Sequence, residues 1–143
     1  MHRSLALVVV IGLTGCRKLG TVENHAPAAA ASATSVALSP VETARRLALS
    51  ATTEVTPIDR RIGALAKLAT AHPRRGDLYI ELGHAWIQKA RESSDPGYFI
   101  QANACADVAL DVAADDKRAL DLRALVLLND HKFREARDLA QSV

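Results

Sequence analysis

Glu81 and His84 stand three residues apart, a spacing that puts a carboxylate and an imidazole on one side of a helix. Such pairs serve di-iron centres in helix bundles, where a second Glu-x-x-His and two further Glu must face them. The chain supplies no second pair, and Asp77, Glu81 and His84 read equally well as a solvated or groove-lining face. No metal site is expected. Cys105 lies among Ala102, Ala104, Ala106 and Val108, with no His or basic residue beside it to lower its pKa. A thiol in that setting reads as a small buried hydrophobe, not a nucleophile. Asp107, Asp111, Asp115, Asp116 and Asp121 form an acid-rich span that could attract a basic or calcium-bearing partner. Asp115 and Asp116 also fall where a helix needs an N-cap, which favours a structural role. His72, before Pro73, reads as a loop or helix-end residue, where a cation suits the dipole. No Gly-rich phosphate loop, zinc-protease His pair or nucleophile elbow occurs, so neither catalytic residues nor a cofactor are expected.

Composition bounds the remaining classes. The 143 residues carry a formal charge of +2, with 49% hydrophobic, 24% charged and only 3% aromatic residues. That suits one ordinary domain and excludes both a disordered polyelectrolyte and a polytopic membrane protein. A nucleic-acid binder would carry a larger basic surplus. Two cysteines and no Cys/His cluster exclude a disulfide framework and a zinc ribbon.

Met1-His2-Arg3 is a short basic start, and Leu5 to Leu13 is an apolar run. The run is too short to span a bilayer, which takes about 20 residues, and has the size of a secretory h-region. It ends in Leu13-Thr14-Gly15-Cys16, which resembles the lipobox of bacterial lipoproteins. That resemblance implies cleavage after residue 15 and a lipidated Cys16 as the mature N-terminus. Two or three acyl chains, at about 0.8 kcal/mol per buried CH₂, would anchor the chain permanently. Arg17 stands where some inner-membrane lipoproteins carry Asp, so the resemblance points to the outer membrane, facing the periplasm. The plainer alternative is an ordinary secretory signal with a coincidental Cys.

Residues 16–39 are rich in Ala, Ser, Thr and Pro and poor in large apolar side chains. They cannot offset their ordering entropy and are expected to form a flexible tether of about 25–30 Å. From residue 40 the pattern is helical, and no sustained period-two alternation suggests a sheet. Ser39-Pro40-Val41-Glu42 and Thr56-Pro57-Ile58-Asp59 each offer a cap, a Pro at the first helical position and an acid at the third. Asp95-Pro96 offers a third start. Helices are expected over residues 40–50, 57–71, 76–92, 97–113, 117–129 and 131–142, with successive helices packed antiparallel. The expected class is all-α, with a domain over 40–143.

Tyr79, Leu82, Gly83 and Trp86, following Pro73, resemble the first helix of a tetratricopeptide repeat with its two aromatics exchanged. Gly83, lacking Cβ, would let a partner helix approach the backbone. Ile58, Ile62, Leu65 and Ala69 form the stripe of a preceding second helix, and Ala102, Ala106 and Ala109 that of a following one. Leu120, Ala124 and Leu127, then Phe133 and Ala136, continue the pattern in a further unit. Arg123 departs from it, standing where Leu is usual, and residues 40–56 fit poorly. The alternative is a non-repeating bundle.

The resemblance implies two to three hairpins whose first helices line a concave, partner-binding face. The matching positions are Asp77, Ile80, His84, Ile87 and Gln88, then Arg118, Asp121, Leu125, Leu128 and Asn129. Their mixture of aliphatic and polar groups suits an extended peptide or a partner helix. Without a capping helix after Val143, Phe133, Ala136, Leu139 and Ala140 would leave a face for another subunit or for further repeats. The functional expectation is a lipid-anchored adaptor that binds a protein in the bacterial envelope. The alternative is a structural, self-associating envelope lipoprotein.

Overall fold

The computed structural model describes residues 37–52 and 55–142. The expected signal peptide, Cys16 and the tether up to residue 36 lie outside the described residues. Six α-helices follow one another: α1 (Pro40–Ala48), α2 (Pro57–Ala71), α3 (Gly76–Ser93), α4 (Phe99–Val112), α5 (Lys117–Asn129) and α6 (Phe133–Gln141). No strand occurs among the described residues. None of these helices is long and apolar enough to cross a membrane.

Their starts follow from local chemistry. The Ser39 hydroxyl accepts from the amide of Glu42 at 3.2 Å. Thr56 and Asp59 form a reciprocal capping box: the Asp59 amide donates to Thr56 Oγ1 at 3.3 Å, and the Thr56 amide to Asp59 Oδ2 at 3.0 Å. Asp116 caps α5 through the Arg118 amide at 2.9 Å. Asp95-Pro96 starts not α4 itself but a 3₁₀ turn, Pro96–Tyr98, held by the Gly97 amide on Asp95 Oδ1 at 2.8 Å. α4 therefore begins at Phe99, two residues later than the pattern suggested. α3 ends on Ser94 in the left-handed region, φ 54°, with its amide and that of Asp95 returned to Arg91 and Ala90.

The order of packing departs from a simple run of hairpins. α3 packs on α2 and α4, α4 on α5, and α5 on α6, as successive antiparallel helices would. α3 and α5 also touch. α1, by contrast, packs on α4 rather than on its neighbour α2. The cause lies in α4, whose apolar residues are spread around its circumference: Phe99, Ala102, Ala106 and Ala109 on one stripe, with Ile100 and Ala104 outside it. A helix apolar on all sides must be covered on all sides. α3, α5 and α1 share that task.

The core centres on α3, where Tyr79, Leu82, Ala85 and Trp86 are buried against Cys105, Val108 and Leu122 of α4 and α5. The Trp86 indole N–H donates to the carbonyl of Ala48 at 3.0 Å, which fixes the last turn of α1 over the core. Trp86 also stacks on Tyr98, ring centroids 5.6 Å apart.

Candidate functional site

α3 reaches the surface along one narrow strip. It is packed by α2, α4 and α5, and before its exposed last turn, Arg91 to Ser93, it leaves Glu81, His84 and Gln88 in water, with Asp77 half-exposed at its start. Ile80 and Ile87, expected on the partner-binding face, are each only 3% exposed. They belong to the core because neighbouring helices close over α3 on both sides of the strip. An aliphatic residue at those positions is packing, not a contact for a ligand.

On α5, Arg118 and Asp121 are exposed, Leu125 is half-buried, and Leu128 is 46% exposed. Asn129 is half-buried and its amide donates to the Leu125 carbonyl at 2.7 Å, so it is bound to its own helix. The two strips adjoin at their N-terminal ends. The Asp116 carboxylate holds Arg118 in its charged form, and the fields of Asp77 and Glu81 on α3 add to that. Of the ten expected positions, Asp77, His84, Gln88, Arg118, Asp121, Leu125, Leu128 and Asn129 are at least partly exposed, and Ile80 and Ile87 are not.

Most charges on this face are already answered. Arg75 Nε donates to Asp77 Oδ1 at 3.0 Å and holds that carboxyl below its usual range. Arg61 of α2 reaches Glu81 at 3.3 Å, and Arg118 reaches Asp116 at 3.1 Å. Exposed pairs of this kind add little to stability. They do leave a face of alternating sign, with His84 and the aliphatic Leu125 and Leu128 as its distinguishing groups.

Elsewhere the acid-rich span resolves into structure. Asp107 pairs with Arg123 and accepts from Asn103 at 3.3 Å, so Arg123 ties α5 to α4. Asp116 is the α5 cap. Cys105 is fully buried, and burial pushes its thiol far up from the ordinary value. Among the described residues no three His, Cys, Asp or Glu side chains converge as metal ligands would.

One polar cluster was not foreseen. Lys89 of α3 is 2% exposed and donates to Asp59 Oδ1 of α2 at 2.9 Å. Its ammonium lies 4.9 Å from the centre of the Tyr98 ring. Burial alone would push the Asp59 carboxyl up. Lys89, the side chain and amide of Thr56, and the side chain of Thr52 outweigh it and hold the group well below the carboxylate range. The cluster joins α2, α3 and the turn before α4. A cleft of about 310 Å³ beside it is lined by Thr56, Ile58, Lys89 and Glu92, although Lys89 itself is only 2% exposed; a lysine inside a helix carries no sequence signal of burial.

Three clefts border α1, and others lie at the start of α6 and beside Lys89. One of about 320 Å³ lies between α1, the start of α4 and the end of α5, lined by Leu47, Ile100, Ala104 and Val126. A second, of about 620 Å³, separates the first turn of α1 from Pro73, Arg74 and the end of α4. No family model, no curated protein and no solved structure matches this chain.

Proposed function

We propose that the protein is a lipid-anchored adaptor of the bacterial envelope, joined to the membrane through Cys16 and binding a protein partner through the α3–α5 strip. The lipobox at Leu13–Cys16 and the tether over 16–39 support the anchor. The tetratricopeptide-like reading is supported by three contacts: α2 on α3, α4 on α5, and the first helices α3 and α5 on each other. α1 stands apart from that pattern by covering α4.

One observation carries the binding surface: Asp77 and Glu81 of α3 lie close enough to Arg118 of α5 for their fields to act on it. The strips of two successive first helices therefore form one surface. With Ile80 and Ile87 in the core, its ligand contacts are His84, Gln88, Asp121, Leu125 and Leu128. A partner helix or extended segment with aliphatic side chains and charges of both signs fits it.

The test is co-purification from detergent-solubilised envelopes, comparing the native chain with the His84→Glu, Leu125→Glu double variant. Circular dichroism must first show equal helix content. Loss of one specific partner in the variant supports the strip, and an unchanged partner list refutes it. A second reading, self-association through α6, is favoured by Phe133, a large apolar side chain that is 59% exposed at the start of that helix. It predicts a mass that rises with concentration in light scattering and falls to the monomer in Phe133→Glu.

A further inference from the structure

α2 lies at the edge of the fold, packed on α3, and buries Ile58, Asp59, Ile62 and Ala69. Its other side is a stripe of exposed residues at helical spacing: Arg60, Ala64, Lys67, Leu68 and Ala71. Leu68 is a large apolar side chain 49% exposed between the charges and the helix end. The one acid of α2, Asp59, is buried against Lys89, so no carboxylate of this helix faces outward. The loop that follows keeps the sign, with His72, Pro73, Arg74 and Arg75 all exposed. Arg61, beside the stripe, is taken by Glu81, and Arg75 by Asp77. Arg60, Lys67 and Arg74 have no ion-pair partner among the described residues.

The sequence divides its charge in the same place. Residues 40–75 hold seven Lys and Arg against three Asp and Glu, whereas residues 76–143 hold eight against twelve. The chain also enters the domain beside this basic stretch: Val41 and Glu42, in the first turn of α1, share a cleft of about 620 Å³ with Pro73 and Arg74. We propose that the outer face of α2 and the loop over residues 72–75 dock on the anionic phospholipid headgroups of the bilayer that holds the anchor. The basic side chains meet headgroup phosphates, and Leu68 meets the acyl boundary. Each Lys or Arg near an anionic surface strengthens binding about fivefold, so Arg60, Lys67 and Arg74 together supply on the order of 100-fold. That is too little to hold a free chain, but a tethered one meets the surface at high effective concentration. The anchor therefore sets attachment and the α2 face sets orientation. The proposal rests on the lipid anchor proposed above and concerns a surface other than the α3–α5 strip.

The test uses the full lipidated chain in phosphatidylcholine vesicles, with or without phosphatidylglycerol, each doped with a headgroup-nitroxide lipid as quencher. A fluorophore is attached at Ala64→Cys on the stripe or, in a second chain, at Asp138→Cys on α6, both exposed positions. Cys105 is buried and does not compete for the label. Quenching at residue 64 should be at least about threefold greater on the anionic vesicles. It should fall to the neutral level at about 1 M salt, where the Debye length is about 3 Å. The Arg60→Glu, Lys67→Glu double variant should lose the same difference with its helix content kept, since both side chains are exposed. Residue 138 should show no such dependence. Equal quenching on the two kinds of vesicle, or at the two positions, would overturn the docking face. Flotation separates that failure from failure of the anchor, because a lipidated chain floats with neutral vesicles whether or not Arg60 and Lys67 are reversed. A chain that floats with neither kind of vesicle overturns both claims. One that floats only with anionic vesicles, and not after the double substitution, overturns the anchor and supports the face.

Discussion

Leu122 of α5 lies so close to Gly83 of α3 that a Cβ on residue 83 would stand 2.5 Å from Leu122 Cδ2. The same Cβ would be 3.1 Å from Cys105 Cβ of α4. Three helices thus close on one missing side chain. Gly83→Ala is expected to destabilise the protein by about 1–2 kcal/mol, as overpacking outweighs the gain of about 1 kcal/mol in helix propensity. The Leu122 methyl can swing aside, but Cys105 Cβ is fixed to its backbone. In urea unfolding, Gly83→Ala should therefore cost less in a Leu122→Ala background than alone. Additive effects would show that the approach of α5 is not what the glycine serves.

The Lys89–Asp59 pair predicts a pH dependence of definite sign. The Asp59 carboxyl is held below its usual range in the fold and returns to about 3.9 on unfolding. Its contribution is complete above about pH 4 and is lost as the pH falls further, through the folded-state value. Thermal melts between pH 7 and pH 2 should show the native chain losing stability below about pH 4. Asp59→Asn should start from a lower Tm at pH 7, with Lys89 left beside a neutral partner, and fall less steeply in acid. Parallel curves for the two chains would contradict the pair's role.

Ser94 ends α3 with φ 54°, a conformation that glycine adopts without a Cβ penalty. Ser94→Gly should leave the fold unchanged and raise stability by up to about 1 kcal/mol. Chemical denaturation checks this, and a loss would mean the Ser94 side chain contributes more than the strain it bears.

Burial of Cys105 predicts that its thiol is inert in the folded chain. Alkylation at pH 8 in a Cys16→Ser background should proceed at the rate of global unfolding and rise with urea across the unfolding transition. Rapid labelling without denaturant would place Cys105 at an opening the packing does not contain.

The helices were legible in the sequence because their signals are local. Thr56-Pro57 and Asp59 set the start of α2 within one turn, and its span over 57–71 follows directly. The docking of α1 on α4 was not legible, since capping and periodicity say nothing about which distant helix a nine-residue element meets. Its one trace is the position of Ile100 and Ala104 outside the Phe99–Ala102–Ala106–Ala109 stripe, which calls for cover on a further side. Ile80 and Ile87 were placed on the binding face by position in a motif, whereas α3 is enclosed more fully than that motif implies. Lys89 and Asp59 were unreadable as a pair because each alone looks like a surface residue.

The anchor carries its own prediction. Cys16→Ser should abolish incorporation of labelled palmitate and release the chain from washed envelopes into the soluble fraction. Retention of the variant on membranes, with unchanged processing, would point to an ordinary secretory signal or to attachment through a bound protein.

The most direct test of the adaptor reading is photo-crosslinking in intact envelopes, with a benzophenone side chain at residue 84 or 128 and at residue 67 on α2 as control. The account predicts one discrete adduct from both strip positions and none from the control, with the adduct lost when Leu125→Glu is added. Adducts of equal yield from all three positions, or from residue 67 alone, would contradict it.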